Sequence, residues 1–227
     1  MCGRITLTRP NFESIASELD VDPMNYRGMP IYRPRYNVAP TDGHPVVTRE
    51  RDRPRHISTM YWGTKSKTGK GLTINWRSES FPPKAPRCVI ITDGFYEWSG
   101  PIDARQPYWF HRRDHALVML AGMWRWQELP GGSLTQNFLV LTTAANDIMK
   151  PIHDRMPVVL DPFQLDQWMK PSSSDFFKRV LFKLGMRDDS STEKRTAFRR
   201  GRLRLEPPTT IVAGIAAAVL PSVSARC

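Results

Sequence analysis

Short strand-like runs bounded by turn-forming residues are the feature that most constrains this 227-residue chain. Turn formers such as Asp93-Gly94 and Pro130-Gly131-Gly132 separate several of the runs. The 20 prolines and 14 glycines also favour short strands over long helices. The predicted strands are Arg4 to Leu7, His44 to Arg49, His56 to Trp62, Cys88 to Thr92, Tyr108 to Arg112, Ala116 to Trp126 and Phe138 to Thr143.

Two short helices are predicted beside these strands. Asn11 is a suitable N-cap for the first, whose apolar positions are Phe12, Ile15, Ala16 and Leu19. The second runs from Asp161 to Lys170, with Asp161 as N-cap and Pro162 in the first position. Because strands and helices do not alternate, we predict the α+β class: a single compact domain of mostly antiparallel strands with peripheral helices.

The character of the chain changes after Lys170. Residues 171–227 carry eleven Lys and Arg against five Asp and Glu, whereas the first 170 residues carry 22 against 17. The tail shares no core pattern with the body, so we predict a domain over residues 1–170 and a basic, poorly ordered extension over 171–227. The net charge of +11 fits a nucleic-acid partner and a solvated basic surface equally well.

The cysteine pattern and the N-terminus predict the compartment. Cys2, Cys88 and Cys227 are odd in number and lack metal-ligand spacing, so we expect a reducing compartment, no disulfide framework and no metal or other cofactor. No apolar signal segment follows Met1. The most apolar run, Ile211 to Leu220, is too short to span a bilayer, and no membrane association is expected.

Cys2 has chemistry that depends on its position. Aminopeptidases remove Met1 when the second side chain is small, which would leave a free amine and a thiol on adjacent carbons of Cys2. In model peptides these groups titrate near ~8 and ~8.5, so both are partly deprotonated at cellular pH. A 1,2-aminothiol condenses with an aldehyde to an imine, which the thiolate closes to a thiazolidine. Many second-position cysteines have no function, so Cys2 alone does not decide the matter.

Three other strings place polar residues among apolar ones. Asn75, Arg77 and Glu79 alternate and would share one strand face. Glu97 lies among aromatic residues, where burial would raise its pKa and suit it to acid–base work. His153 lies in a dense polar cluster, whereas the remaining histidines are predicted to be surface residues: His44, His56, His111 and His115. Taken singly, each string fits a structural role equally well.

Taken together, these strings resemble the SRAP family, the SOS response-associated peptidases, which includes abasic-site shielding proteins. The resemblance runs from Cys2 to about Lys170, and its motifs occur in the family's order. They are Met1-Cys2-Gly3-Arg4, Arg35-Tyr36-Asn37-Val38-Ala39-Pro40, Tyr61-Trp62-Gly63, Asn75-x-Arg77-x-Glu79, Asp93-Gly94-Phe95-Tyr96-Glu97-Trp98, Ala121-Gly122-Met123-Trp124 and Ile152-His153-Asp154-Arg155-Met156-Pro157.

The resemblance implies a barrel-like domain that binds single-stranded DNA and forms a thiazolidine crosslink to abasic sites, shielding them during the DNA damage response. It implies Cys2 as the nucleophile, Asn75 as the residue that holds the sugar and the N-terminus by hydrogen bonds, and Glu97 as a proton shuttle at the amine and imine. It implies His153 as the acid toward the sugar oxygen during ring opening and in reversal. The residues implied to contact DNA are Arg4, Asn37, Arg77 and Thr142.

The resemblance also implies a cellular setting and further activities. The protein is expected to act as a monomer in the bacterial cytoplasm at the nucleoid, or in the nucleus of a eukaryote. A thiol-peptidase activity directed at the chain itself and a lyase-type activity are also implied. The chain departs from the family at Trp76, where a small residue is usual, in the short basic segment 64–71 and in the tail.

Three alternatives stay open at the level of sequence. Met-Cys-Gly also begins glutamine amidotransferases, which would release ammonia from glutamine. A peptidase could use Cys2, Glu97 and His153 for amide hydrolysis. A non-catalytic DNA-binding domain would bind DNA in a salt-sensitive manner regardless of Cys2.

Overall fold

The computed structural model describes residues 2–22, 26–27, 32–50, 53–65, 71–170 and 203–206. Its strands are Arg4–Leu7 (β1), Tyr26–Arg27 (β2), Arg35–Val38 (β3), Gly43–Thr48 (β4), His56–Trp62 (β5), Thr64–Lys65 (β6), Leu72–Thr73 (β7), Asn75–Arg77 (β8), Arg87–Thr92 (β9), Gly94–Ser99 (β10), Gln106–Arg112 (β11), Val118–Glu128 (β12), Leu134–Ala144 (β13), Arg155–Pro157 (β14), Val159–Leu160 (β15) and Leu203–Glu206 (β16). The α-helices are Phe12–Glu18 (α1) and Leu165–Met169 (α2), with 3-10 helices at Ser78–Ser80, Ile102–Ala104 and Pro162–Gln164.

The larger sheet closes on itself. Its strands follow the order β14-β13-β12-β9-β4-β5-β2, with β15 beside β12 and β8 beside β13. Because β5 also pairs in parallel with β13, the strands β13, β12, β9, β4 and β5 form a closed ring. A second sheet has the order β16-β11-β10-β1-β3, and β6 pairs with β7. The predicted α+β class with a barrel-like arrangement is confirmed.

Two apolar cores lie on opposite faces of the larger sheet. Met119 and Ala121 of β12 belong to the core that includes α1 and α2, which we call the helix-side core. Val118 and Leu120 belong to the other, which includes Cys2 and which we call the cysteine-side core. The central strand β12 reads as a nearly continuous apolar run because both of its faces are covered.

Strand β10 was not predicted, because Asp93-Gly94 was interpreted as a turn. The Asp93 carboxylate instead accepts hydrogen bonds from Thr6 and Thr8, which ties β10 to the neighbourhood of β1. Gly94 belongs to the strand since the Trp109 indole packs where a Cβ would lie. Glycine here allows a close approach of two strands.

The other predicted elements differ from the structure mainly at their ends. The Asn11 cap is confirmed: its side chain accepts from the Ser14 backbone N–H at 2.9 Å. The second predicted helix is divided into a 3-10 turn and α2. The strand through Glu79 ends at Arg77, so Glu79 lies in a 3-10 helix and does not share a strand face with Asn75.

Two of the four predicted surface histidines are buried. His44 is fully buried with its Nε2 at 2.6 Å from the Ile91 carbonyl oxygen, and burial lowers its pKa to about 4. His111 is also buried and stacks on Trp109 with ring centroids 4.3 Å apart. Both lie on strands whose alternation points them inward, which outweighs their polarity.

Strand β16 comes from the predicted extension and pairs with β11, placing Glu206 opposite Trp109. The rest of the region after Lys170 lies outside the described residues, so the predicted boundary and the disorder of the tail stay predictions. Within the described part of the chain, no helix is long and apolar enough to cross a membrane.

Candidate active site

Cys2 lies at the entrance to β1, inside the protein. Its side chain is 1% exposed and belongs to the cysteine-side core. The antiparallel pairing of Arg4 with Tyr96 and of Ile5 with Phe95 fixes this segment against β10. Burial raises the pKa of the Cys2 thiol above its ordinary value, and the charge of Glu97 raises it further. The thiol is therefore held in its protonated form.

Asn75 fixes the main chain at Cys2. It begins β8 opposite Val140 of β13, on the sheet face that covers the cysteine-side core. Its Nδ2 donates a hydrogen bond to the Cys2 carbonyl oxygen at 2.9 Å. No described residue donates to the buried Oδ1 of the same amide. An unpaired buried acceptor costs about 1–3 kcal/mol, so this oxygen is suited to accept from a bound ligand.

Glu97 is a buried carboxylate on the same side of the molecule. Alternation along β10 places it on the face of Phe95, toward the cysteine-side core, and leaves it 1% exposed. Burial raises its pKa, and nearby positive charge, including that of His153, opposes the rise. The raised pKa expected from the aromatic surroundings in the sequence is confirmed, and a raised pKa suits Glu97 to acid–base work.

His153 links Glu97 to solvent. Its Nε2 lies 3.8 Å from Glu97 Oε1, and its side chain is 26% exposed against 2% for Glu97. The Arg155 backbone N–H donates to His153 Nδ1 at 2.9 Å. This hydrogen bond is made when Nδ1 carries no proton, and Nε2–H then faces Glu97. The same Nδ1 lies 2.8 Å from Asp154 Oδ1, a contact that favours a proton on Nδ1.

Arg155 holds the His153 segment, a contact that the sequence analysis missed. Its guanidinium binds Glu79 through two hydrogen bonds of 2.6 and 2.8 Å and donates to the Thr142 carbonyl oxygen at 2.6 Å. This fork lowers the pKa of Glu79 to about 2. The strings that contain Glu79 and Arg155 are 76 residues apart, and only the fold brings them together.

The structure separates the predicted DNA-contacting residues into two groups. Asn37 and Arg77 are exposed, and Arg4 is half-buried with its Nη1 donating to the Gly3 carbonyl oxygen at 2.7 Å. Thr142 is 1% exposed, and its hydroxyl lies 3.4 Å from both the Trp76 carbonyl oxygen and the Arg155 guanidinium. This position gives Thr142 a structural contact, and its direct contact with DNA stays a prediction.

Trp76 does not crowd the site. It pairs with Leu141 of β13 and packs against the helix-side core, on the sheet face opposite to Asn75. Its indole N–H donates to the Ser80 carbonyl oxygen at 3.1 Å. The unusual residue is accommodated because alternation turns it away from Cys2.

The arrangement thus brings together all four predicted catalytic residues: Cys2, Asn75, Glu97 and His153. It contains the buried Cys2 thiol and the Asn75 amide, which is hydrogen-bonded to the Cys2 carbonyl oxygen. It also contains the Glu97 carboxylate and the His153 imidazole, of which only the imidazole reaches solvent. The described residues include no group of three or more His, Cys, Asp or Glu side chains that could hold a metal ion. Such a set is suited to proton transfer at the amine and thiol of Cys2.

Comparisons with known proteins show which family the chain belongs to. The SOS response associated peptidase (SRAP) family matches residues 1–191, which continues past Lys170. The chain is 32% identical over 200 residues to "Abasic site processing protein YoaM" of Bacillus subtilis, covering 80% of this chain and 85% of that protein. It is 31% identical over 185 residues to "Abasic site processing protein YedK" of Escherichia coli, covering 77% and 82%.

A solved protein structure from Bordetella bronchiseptica has the same fold, with a TM-score of 0.65 at 19% identity over 90% of this chain and 99% of that one. The family match spans most of the chain, and its range contains the assembled site. The protein belongs to the SRAP family.

Proposed function

We propose that this protein captures abasic sites in single-stranded DNA by forming a thiazolidine between Cys2 and the sugar aldehyde. The observation that carries the proposal is the hydrogen bond from Asn75 to the Cys2 carbonyl, beside the Glu97–His153 pair. Relatives named abasic site processing proteins support DNA with abasic sites as the substrate.

The first step forms an imine. Removal of Met1 exposes the Cys2 amine, and its nitrogen attacks the aldehyde carbon of the open sugar. Loss of one water leaves a C=N bond. The abasic sugar is mostly a closed hemiacetal, so His153 protonates the ring oxygen as it opens, and Glu97 accepts the proton that the amine loses.

The second step closes the ring. The Cys2 sulfur bonds to the imine carbon while the imine nitrogen gains a proton, so the thiol proton is conserved. The raised pKa of the thiol keeps sulfur protonated until the imine forms. Glu97 is close enough for its charge to act on the thiol, and it is the base that we assign to this proton transfer.

The same property opposes a peptidase mechanism. Thiol peptidases attack with a thiolate whose pKa is depressed by a neighbouring positive charge. At Cys2, burial and the negative charge of Glu97 raise the pKa of the thiol, and the smaller effects of the Arg4 carbonyl and the N-terminal charge lower it. The net rise favours amine-first condensation over thiolate attack on an amide, and the glutamine amidotransferase alternative meets the same difficulty.

Phosphate contacts position the strand. The exposed Arg77 follows Asn75 on β8, and Asn37 lies exposed on β3. With Arg4 beside Cys2, these side chains would bind the DNA backbone without reading its sequence. Tyr96 and Trp98, half-buried on the outer face of β10 with ring centroids 6.2 Å apart, would stack on neighbouring bases.

Intact mass spectrometry tests the proposal. The purified protein is incubated with a single-stranded oligonucleotide carrying one abasic site, and with the same oligonucleotide fully intact as control. We expect the protein to have lost Met1. We also expect an adduct whose mass equals that of protein plus DNA less one water, formed with the abasic oligonucleotide and not with the intact control. Processed protein that forms no adduct would refute covalent capture and leave the binding-only alternative.

A further inference from the structure

A second candidate binding site lies where β5 ends, beside the end of the β12–β13 hairpin. It is an open pocket of about 360 Å³. The lining residues on which the argument rests are Thr41, Tyr61, Gly63, Leu72, Gln127 and Asn137. None of them belongs to the Cys2 site, and we call this site the Tyr61 pocket.

Tyr61 gives the pocket an exposed aromatic ring. It is 46% exposed, whereas Trp62, which follows it on the opposite face of β5, is fully buried. Leu72, which is 43% exposed, forms an aliphatic wall and packs against Gly63, where an added Cβ would lie 3.0 Å from the leucine side chain. Because the φ of Gly63 is also 97°, glycine is required here both for space and for conformation. The ring and the wall together suit a flat aromatic ligand.

Two polar groups at the pocket are available to such a ligand. Gln127 Oε1 accepts from the Lys65 backbone N–H at 2.9 Å, which leaves its Nε2 without a partner among the described residues. The Thr41 hydroxyl likewise makes no hydrogen bond to the described part of the chain, whereas the Asn137 amide is already bound to the Gly63 carbonyl oxygen at 2.7 Å. An amide N–H and a hydroxyl can bond to the edge of a base, which carries acceptor oxygens and nitrogens.

The backbone at Thr41 is in a conformation that is rare for a threonine. Its φ is 78°, in the left-handed region that favours glycine. The Thr41 N–H donates to the Trp62 carbonyl oxygen at 2.8 Å, and the Trp62 N–H donates to the Asp42 carbonyl oxygen at 3.0 Å, so contacts with β5 hold this turn. Strained residues of this kind concentrate at ligand-binding sites. Here the strain holds Thr41 at the pocket beside Tyr61.

Two cations lie at the rim of the Tyr61 pocket. Lys65 of β6 pairs with Leu72 of β7, so their side chains leave the same face of this two-stranded ribbon. Arg125 pairs with Asn137 and alternates with Gln127, so its side chain leaves the same face of the larger sheet as theirs. Both cations are exposed and lie next to lining residues.

The carboxylates near the pocket do not neutralise these cations. Arg125 Nη2 donates to the Lys65 carbonyl oxygen at 3.1 Å, which carries no net charge. Asp42 is paired with Arg35, and alternation turns Glu128 to the opposite face of β12. No carboxylate is among the residues that line the pocket. The rim is therefore cationic and attracts a phosphate.

An exposed aromatic ring beside cations is the combination that binds unpaired nucleotides, since bases stack on the ring and phosphates lie at the cations. We propose that the Tyr61 pocket binds one unpaired base of single-stranded DNA without a covalent bond. The base stacks on Tyr61, its edge accepts from the Gln127 amide, and the adjoining phosphate lies between Lys65 and Arg125. The choice of DNA as the ligand rests on the proposed function of the Cys2 site.

The test measures non-covalent binding of an oligothymidylate without an abasic site, by fluorescence anisotropy in a Cys2→Ala background. Tyr61→Ala should weaken binding roughly tenfold, a typical effect of losing one base–aromatic stack, whereas Tyr61→Phe keeps the ring and should bind like the parent. Lys65→Gln should lower the slope of log affinity against log salt by about one. The matched controls lie outside the pocket: Phe163→Ala removes a 76% exposed ring, and Arg113→Gln removes an exposed charge.

Unchanged affinity in Tyr61→Ala and an unchanged salt slope in Lys65→Gln, with thermal melts like that of the parent, would overturn the proposal. Equal weakening in the controls would also overturn it, since the effect would then be general. If Tyr61→Phe bound as weakly as Tyr61→Ala, stacking on the ring would be refuted.

The same reagents separate this inference from covalent capture. A chain that binds the oligothymidylate through Tyr61 but forms no adduct with an abasic strand would refute the proposed function alone. A chain that forms the adduct, with no effect of Tyr61→Ala on binding, would refute this inference alone.

Discussion

The surroundings of Cys2 and Cys88 differ although the two thiols share one core. Their side chains are 1% and 0% exposed, both belong to the cysteine-side core, and burial raises the pKa of both thiols. Cys88 lies mid-sheet, and its carbonyl oxygen accepts from the Trp168 indole at 2.8 Å. Cys2 has in addition the Asn75 amide on its carbonyl and the charge of Glu97 close to its thiol.

The comparison teaches that burial alone does not distinguish a reactive cysteine from a structural one. The Cys88 sulfur packs close to Gly122, where an added Cβ would lie only 3.0 Å from it. The packing of the two strands therefore limits the size of the side chain at position 88. At Cys2 the neighbouring groups are those that the proposed proton transfer would use. The predictions below change one side of this comparison at a time.

The largest expected effect is on adduct formation with abasic DNA, which one cysteine substitution should abolish and the other should leave intact. Cys2→Ala should abolish the adduct with abasic DNA, because no sulfur remains to close the ring. Cys88→Ala should form the adduct normally and lose stability of about 1–2 kcal/mol from the packing defect. Gel-resolved adduct yield and thermal unfolding measure the two effects, and an adduct of equal yield in Cys2→Ala would refute the assignment.

Replacing the Glu97 carboxylate should make the surroundings of Cys2 more like those of Cys88, which have no neighbouring base assigned to them. Glu97→Gln keeps the shape but cannot accept a proton, so the rate of adduct formation should fall roughly 100-fold. Its affinity for DNA without an abasic site should be unchanged. Single-turnover kinetics measure the rate of adduct formation. His153→Ala, measured in parallel, is expected to slow the reaction by a similar factor.

The same variant has an effect on stability whose sign follows from the pKa. The folded-state pKa of Glu97 is raised, so ionisation destabilises the fold as pH rises from the unfolded-state pKa through the folded-state value. Glu97→Gln should therefore be more stable than the parent at neutral pH. The difference should vanish in acid, where Glu97 is protonated; equal stability at every pH would contradict the burial argument.

A smaller effect is expected one step further from Cys2. Glu79→Gln weakens the fork to Arg155, whose backbone N–H donates to His153 Nδ1 and helps to orient the ring, so adduct formation should slow about tenfold or less. The Glu79 side chain is 55% exposed, and the loss of stability should stay below about 1 kcal/mol. The control is Asp114→Asn, which removes a carboxylate that is 43% exposed and paired with Arg112. It should leave the rate of adduct formation unchanged.

The smallest difference is expected between the two thiols in protein without DNA. Since burial keeps both protonated, Cys2 and Cys88 should react equally slowly with iodoacetamide at neutral pH. Both should react rapidly after unfolding. Peptide mapping over time measures the rates, and fast labelling confined to Cys2 would favour an activated thiolate and the peptidase alternative.

The sequence predicted the parts of the fold where apolar alternation is strong. The strand His56 to Trp62 was predicted with its observed ends, and the Asn11 cap was correct. The strand Gly94–Ser99 was missed because Asp93-Gly94 is typical of turns, and only the packing of Trp109 shows why glycine is there. Local propensity cannot include a contact made by a strand that comes later in the chain.

The sequence named the residues that the structure brings together, but not their supporting contacts. Family motifs pointed to Cys2, Asn75, Glu97 and His153, whose catalytic roles stay predictions, and the burial of Glu97 followed from its aromatic neighbours. The fork between Glu79 and Arg155 and the burial of His44 depend on which strands become neighbours. Such long-range pairing leaves no local signal in a single sequence.

The central claim is that ring closure consumes the Cys2 thiol, and thiol counting in the adduct tests it most directly. An imine and a thiazolidine have the same mass, so the purified crosslink is denatured, treated with iodoacetamide and digested, with Cys88 as the internal control. We predict that Cys88 is alkylated and Cys2 is protected. Alkylated Cys2 within the adduct would contradict thiazolidine formation and show that capture stops at the imine.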